Sequence, residues 1–131
     1  MTHESTMRPS ITIDVKRNRI RIHRKTLHFL GNPHYILLLV NPVDRAFAIV
    51  RGECSDLRTH CLLRIWREKK QFFELWSRPL VRSLFGLSDH WQDNAAYRLY
   101  GENVPDASMV RFNIAESIVA RRRQRGDCEE P

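Results

Sequence analysis

The chain has 131 residues, 42% of them hydrophobic, and its 22 Lys and Arg outnumber 15 Asp and Glu for a formal charge of +7. That length suits one compact domain, or two small and closely packed halves, with a real core. No run of about 18 apolar residues is present, which excludes a transmembrane helix, and the polar start MTHESTMRPS lacks the apolar stretch of a signal peptide, so a cytoplasmic location is expected. A pI near 9.9 favours anionic partners, nucleic acid among them.

Residues 1–9 read as a flexible arm that ends at Pro9. From Ser10 to His23 the pattern is that of a hairpin. Ile11, Ile13 and Val15 alternate with polar residues, and so do Ile20 and Ile22, as expected of strands with one apolar face. The turn between them is Lys16-Arg17-Asn18-Arg19. Seven cations and one acid fall between Arg8 and Lys25, a net +6 in eighteen residues. Arg24 to Leu30 then has the spacing of two helical turns. Gly31 fits the residue just past a helix, and Asn32-Pro33 marks the break.

Tyr35 to Val40 is apolar on both faces, which predicts a strand buried on both sides. Asn41 to Arg45 is a turn by composition, and Ala46 to Val50 is the returning strand. Residues 53–59 are a polar linker within the stretch Arg51–Thr59. The same order of elements then recurs. His60 to Trp66 is expected to be a strand with a buried Cys61, followed by the charged turn 67–70 and a return strand over 71–76. Ser77 is an expected helix N-cap with Pro79 in the first turn. That helix runs to about Phe85. A loop over 88–94, a strand over 97–100, a loop over 101–108 and a strand over 109–114 complete the second unit. Residues 116–131 form a tail that is basic at Arg121–Arg125 and then acidic. Trp66, Trp76 and Trp91 sit in apolar contexts and are expected in the core. A stacking role on nucleic acid is the alternative for one that is exposed.

Cys54, Cys61 and Cys128 have no framework spacing, and no disulfide, metal site or cofactor is expected. The six histidines are scattered. No Ser-His-Asp set, paired carboxylates, P-loop or GxGxxG is present, so no enzymatic activity is expected. The fold class is α+β, mainly β, built from tandem strand-strand-helix-strand-strand units over 10–52 and 60–115.

The segment VKRNRIRIHRKTLHFLG, followed by YILLLVNPVDRAFAIVRG, resembles the swapped-hairpin DNA-binding domain of AbrB and MazE type proteins. Two such units in one chain resemble the arrangement in MraZ-type proteins, by element order only for the second. The resemblance implies a small interleaved barrel, formed by homodimerisation or by intramolecular pairing of the two units. The turn at Arg17-Asn18 is shorter than is usual in that family, lacks its glycine, and no proline opens the helix. The acidic toxin-binding tail of the antitoxin members is absent, which argues against a toxin partner.

The resemblance assigns DNA contact to Lys16, Arg17, Arg19, Arg21 and Arg24, and the basic run adds Asn18 and Lys25. Arg and Lys neutralise phosphates, and Arg can also read guanine in the major groove. The expected function is therefore duplex-DNA binding of the transcription-regulator kind, through the first hairpin. The alternative is a protein–protein interaction or assembly module of a bacterial mobile element that does not bind DNA. In that case the strand cations would serve only to keep an edge from aggregating.

Overall fold

The computed structural model describes residues 8–120. The fold is mainly β, a curled antiparallel sheet with short helices. Its strands are β1 (Ser10–Asp14), β2 (Arg19–His23), β3 (Tyr35–Asn41), β4 (Ala46–Arg51), β5 (His60–Cys61), β6 (Phe72–Trp76), β7 (Ala96–Val104), β8 (Met109–Asn113) and β9 (Ile118–Val119). The helices are α1 (Arg24–His28), α2 (Leu63–Arg67) and α3 (Arg78–Gly86). The strands lie in the order β5-β3-β4-β8-β7-β1-β2-β6, with β9 beside β7.

The first hairpin forms as its alternation predicts. Ile11 lies across from Ile22 and Ile13 from Ile20, all four buried. Each buried isoleucine side chain contributes roughly 1.5–3 kcal/mol. The hairpin does not stand alone. On one side β1 pairs with β7, and on the other β2 pairs with β6, so strands from the second half flank it. Thr26 fastens α1 to β1, its hydroxyl accepting from Ser10 N at 3.0 Å and donating to Ser10 O at 2.8 Å. Gly31 has φ of +78°, the left-handed conformation expected of a glycine just past a helix.

The hairpins β3–β4 and β7–β8 share one register. Leu38 faces Ile49, and Gly101 faces Phe112; adding 63 to each number of the first pair gives the second. Both loops follow the same rule. Each begins with a proline, Pro42 or Pro105, and ends on a left-handed residue, Arg45 at φ 52° or Ser108 at φ 49°. β4 and β8 pair antiparallel and join the two hairpins. β7 changes partner midway, from β1 up to Tyr100 to β8 from Gly101 onward. A Cβ on Gly101 would lie 2.7 Å from the Arg111 carbonyl oxygen and from the Phe112 ring, so only glycine fits the crossing.

Several expectations fail. Only Cys61 and its neighbour His60 are strand in the segment 60–66, and α2 begins at Leu63. Cys61 is exposed rather than buried. The alternation of Cys61, Leu63 and Ile65 fits a strand, but a helix also brings Leu62 and Ile65, three apart, onto one face, and both are buried. β6 consequently pairs with β2 and not with a strand over 60–66. β3 is buried on one face only: Ile36 is fully covered, while Leu39 is 41% exposed. Curling leaves the convex face of β3 without a layer over it among the described residues. The region 101–108 is strand as far as Val104 and only then a loop. Trp91 is buried, Trp66 half-buried, and Trp76 stands 61% exposed.

The core gathers both halves. Phe47, Phe112, Ile49, Val110 and Leu99 meet the isoleucines of the first hairpin, with Leu27, Val81 and Leu84 arriving from the helices. Ser77 caps α3 by accepting from Leu80 N at 3.3 Å, with Pro79 in the first turn as the sequence indicates. Of the expected arm, Pro9 is buried and its carbonyl accepts from Gly101 N at 2.8 Å. Of the expected tail, Ile118 and Val119 pair with Arg98 and Tyr97. Arg121–Arg125 lies outside the described residues.

Candidate nucleic-acid interface

The outward face of the β1–β2–β6 sheet is set by register. Ile20 and Ile22 point inward, so Arg19, Arg21 and His23 point outward, opposite Trp76, Glu74 and Phe72. These are the closer, non-hydrogen-bonded pairs of the ladder, because the flanking backbone bonds Arg24 N to Gln71 O and Ser77 N to Asn18 O fix the alternation. Side chains within each pair therefore touch.

The seven expected contact residues divide into three groups. Arg19 and Arg21 lie at the centre and are largely neutralised. Arg19 Nη2 is 3.3 Å from Asp14 Oδ2 and its Nη1 3.7 Å from Glu74 Oε2. Arg21 Nε lies 2.7 Å from Glu74 Oε2, off the direction a hydrogen bond needs, so the contact is ionic. Its guanidinium also sits 3.9 Å from the Phe72 ring centroid, a cation–π contact. These two arginines do part of the work of holding β2 to its neighbours.

Lys16, Arg17 and Asn18 form the tip. Lys16 is exposed. Arg17 is also exposed, although its Nη1 reaches Asp14 Oδ2 at 3.2 Å. Asp14 itself is buried and accepts from Arg17 N at 3.2 Å, which closes the turn. Asn18 adopts φ 53°, a conformation Asn tolerates better than most residues. Its amide oxygen accepts from Arg82 Nε at 3.2 Å, so Asn18 is occupied in building the turn rather than displayed for a ligand.

Arg24 and Lys25 stand at the far end of β2, about 14 Å from the tip at ~3.4 Å per residue. Arg24 Nη1 donates to Lys70 O at 3.4 Å, and its guanidinium lies 5.4 Å from the Trp66 ring centroid. Lys25 is exposed. Lys69 and Lys70 come to this corner from the turn after α2, with Glu68 drawn off by Arg64 at 3.1 Å and Lys70 at 3.7 Å. His23 caps α1 here: its Nδ1 accepts from Lys25 N at 3.0 Å. Partial burial, then the nearby Lys25, Arg24, His28 and Arg21 charges, hold its pKa below the usual value, which favours the neutral ring that such a cap requires.

Two groups of functional interest are not visible in the sequence. Arg78 and Arg82 of α3 join the tip, because Ser77 N is bonded to Asn18 O and Arg82 Nη2 donates to Val15 O at 3.4 Å. Lys16, Arg78 and Arg82 make no ion pair among the described residues. Glu74, the acid that answers Arg19 and Arg21, likewise arrives with β6. Neither is legible, because nothing local in the sequence tells β6 to pair with β2.

Compared with known protein families, characterised proteins and solved structures, the chain matches none.

Proposed function

We propose that this protein binds duplex DNA in the manner of a transcription regulator, through the basic hairpin of its first unit, with two swapped-hairpin-like units interleaved within one chain. The pairing of β2 with β6 and of β4 with β8, together with the common register of β3–β4 and β7–β8, supports interleaving. In the second unit β5 stands where β1 stands in the first, flanking a long hairpin, but it is only two residues long and α2 replaces its turn. The first unit then contributes the basic hairpin, and the second contributes structure together with the Arg78 and Arg82 cations of α3.

The observation that carries the reading is that α3, which begins with Arg78 and carries Arg82, is hydrogen-bonded to the turn of the hairpin tip that carries Lys16 and Arg17. Asp14, buried beneath, is the carboxylate bonded to that tip. Lysine and arginine grouped this way meet a phosphate backbone, and each phosphate contact releases counterions. Polarisation titration of a labelled generic duplex at two salt concentrations tests it. Binding that weakens steeply as salt rises is the expected result, and no binding at low salt ends the reading.

One observation favours assembly as a second reading. Leu37, Val50, Met109 and Val104 form an apolar row across four strands on the outward face, next to the exposed Leu39. Light scattering that shows self-association without DNA affinity would favour it.

A further inference from the structure

Trp76 is the anomaly of the surface. It is 61% exposed, whereas Trp91 is buried in the core. It stands on the last residue of β6, which among the described residues is paired on one side only, by β2. The backbone N–H and C=O groups of Phe72, Glu74 and Trp76 point away from β2, since Phe73 and Leu75 take the hydrogen bonds to it. Among the described residues the indole therefore occupies an open edge and an open face together.

Its surroundings are cationic. Arg19, directly opposite in register, places its guanidinium 5.9 Å from the indole centroid and is itself held by Asp14 and Glu74. One residue beyond Trp76, Ser77 N is bonded to Asn18 O, which fixes the indole beside the Lys16, Arg17, Arg78 and Arg82 corner. Phe72, the other aromatic side chain of β6 on this face, is already covered by the Arg21 guanidinium. Trp76 remains as the aromatic plane offered to a partner.

We infer that this corner takes unpaired nucleotides, with a base stacked on Trp76 and the neighbouring phosphates held by Lys16, Arg17, Arg78 and Arg82. The inference rests on the reading of the corner as a nucleic-acid surface and names a further ligand for it. A flat π-face beside grouped cations is the chemistry that single strands recognise, and it is tolerant of sequence because every base has a π-face. A paired base is stacked inside its helix and offers no face to an indole on a sheet edge. An acidic peptide would satisfy the cations but leave the indole without a stacking partner.

The test uses the full chain and an oligothymidylate of about 12 residues. Intrinsic tryptophan fluorescence is followed at low salt, with a fluorescein-labelled duplex titrated in parallel. Trp91 is buried against Tyr97, and Trp66 is half-buried with its Nε1 donating to Pro33 O, so quenching reports mainly Trp76. Saturable quenching is expected from wild type. Trp76→Ala should remove most of the quenching and weaken oligothymidylate binding about tenfold, with Trp76→Phe intermediate. Unchanged oligothymidylate affinity in Trp76→Ala, or equal displacement by polyglutamate, overturns the inference. If duplex binding persists in either of those results, the duplex reading stands alone. If wild type binds neither nucleic acid at low salt, both readings fall. Equal thermal melting of the three proteins shows that the exposed position leaves the fold intact.

Discussion

Asn18 Oδ1 accepts from Arg82 Nε at 3.2 Å across 64 positions of sequence, so the turn of the first hairpin is finished by a helix of the second half. The same asparagine holds φ at 53°. Two costs therefore separate in mutants. Asn18→Gly keeps the left-handed backbone and loses the acceptor. Asn18→Ala loses both, and the backbone adds about 1–2 kcal/mol. Urea unfolding should rank wild type above Asn18→Gly above Asn18→Ala. If the two variants unfold alike, the left-handed turn is not what Asn18 supplies.

The corner proposed to contact phosphates gives a prediction in salt dependence. Lys16→Ala with Arg17→Ala, and separately Arg78→Ala, remove exposed cations, of which only Arg17 has an ion-pair partner among the described residues, Asp14. For every phosphate that such a variant no longer neutralises, the slope of log K against log salt should become shallower by about 0.9. Arg21→Ala should change that slope little, because Arg21 is already paired with Glu74 at 2.7 Å. Duplex titrations at several salt concentrations check it. A slope unchanged by the tip variants would move the contact surface elsewhere.

How far the sequence can be read depends on the range of the interactions involved. Alternation and turn chemistry are local, and they locate β1, β2, α1, the cap at Ser77 and the glycine after α1. Pairing is not local. That β6 lies beside β2 decides that Glu74 meets Arg21, and no pattern within either segment encodes it. The candidate contact residues divide in the same way. Lys16 and Arg17 are legible because a hairpin tip must project, whereas Arg78 and Arg82 join them only through the backbone bond from Ser77 to Asn18. The matching Pro42 and Pro105 loops are visible, but their equivalence shows only once the two registers are laid together.

Buried Asp14 supports the turn by accepting from Arg17 N at 3.2 Å and from Arg19 Nη2 at 3.3 Å. Asp14→Ala leaves the turn N–H and part of Arg19 without partners, and should destabilise the fold by about 1–3 kcal/mol. Asp14→Asn keeps an acceptor for the turn N–H and should lose less. Denaturant midpoints at constant m-value read this directly. Equal midpoints for wild type and Asp14→Ala would show that the turn closes without the carboxylate.

His23 predicts a pH dependence. Its pKa is lowered in the folded chain, by burial first and by neighbouring cations next. As pH falls below about 6.5, the unfolded chain takes up a proton that the folded chain still resists. Stability is thus full above that value and declines as pH drops toward the folded pKa. His60, lowered by burial, acts in the same direction. Asn is a good N-cap that does not titrate. His23→Asn should therefore melt like wild type near pH 8 and lose less stability by about pH 5, with the remaining slope owed in part to His60. Identical pH profiles for the two proteins would remove His23 from the account.

On the proposed DNA-binding reading, Glu74 sets how much of the basic stretch reaches the polyanion. It lies 2.7 Å from Arg21 and 3.7 Å from Arg19, and all three side chains are partly exposed. Ion pairs that water still reaches contribute little to stability, about 0–1 kcal/mol. Glu74→Gln should therefore leave melting nearly unchanged. It removes one negative charge from the face and releases Arg21 and Arg19 toward a ligand. Duplex affinity at low salt should rise a few-fold, and the salt slope should steepen by up to about one contact per arginine released. The rise should vanish when Arg21→Ala is combined with it, because the freed guanidinium is then missing. If Glu74→Gln raises affinity equally with and without Arg21, the effect is one of net charge alone. If it raises nothing, the central arginines do not face the DNA at all.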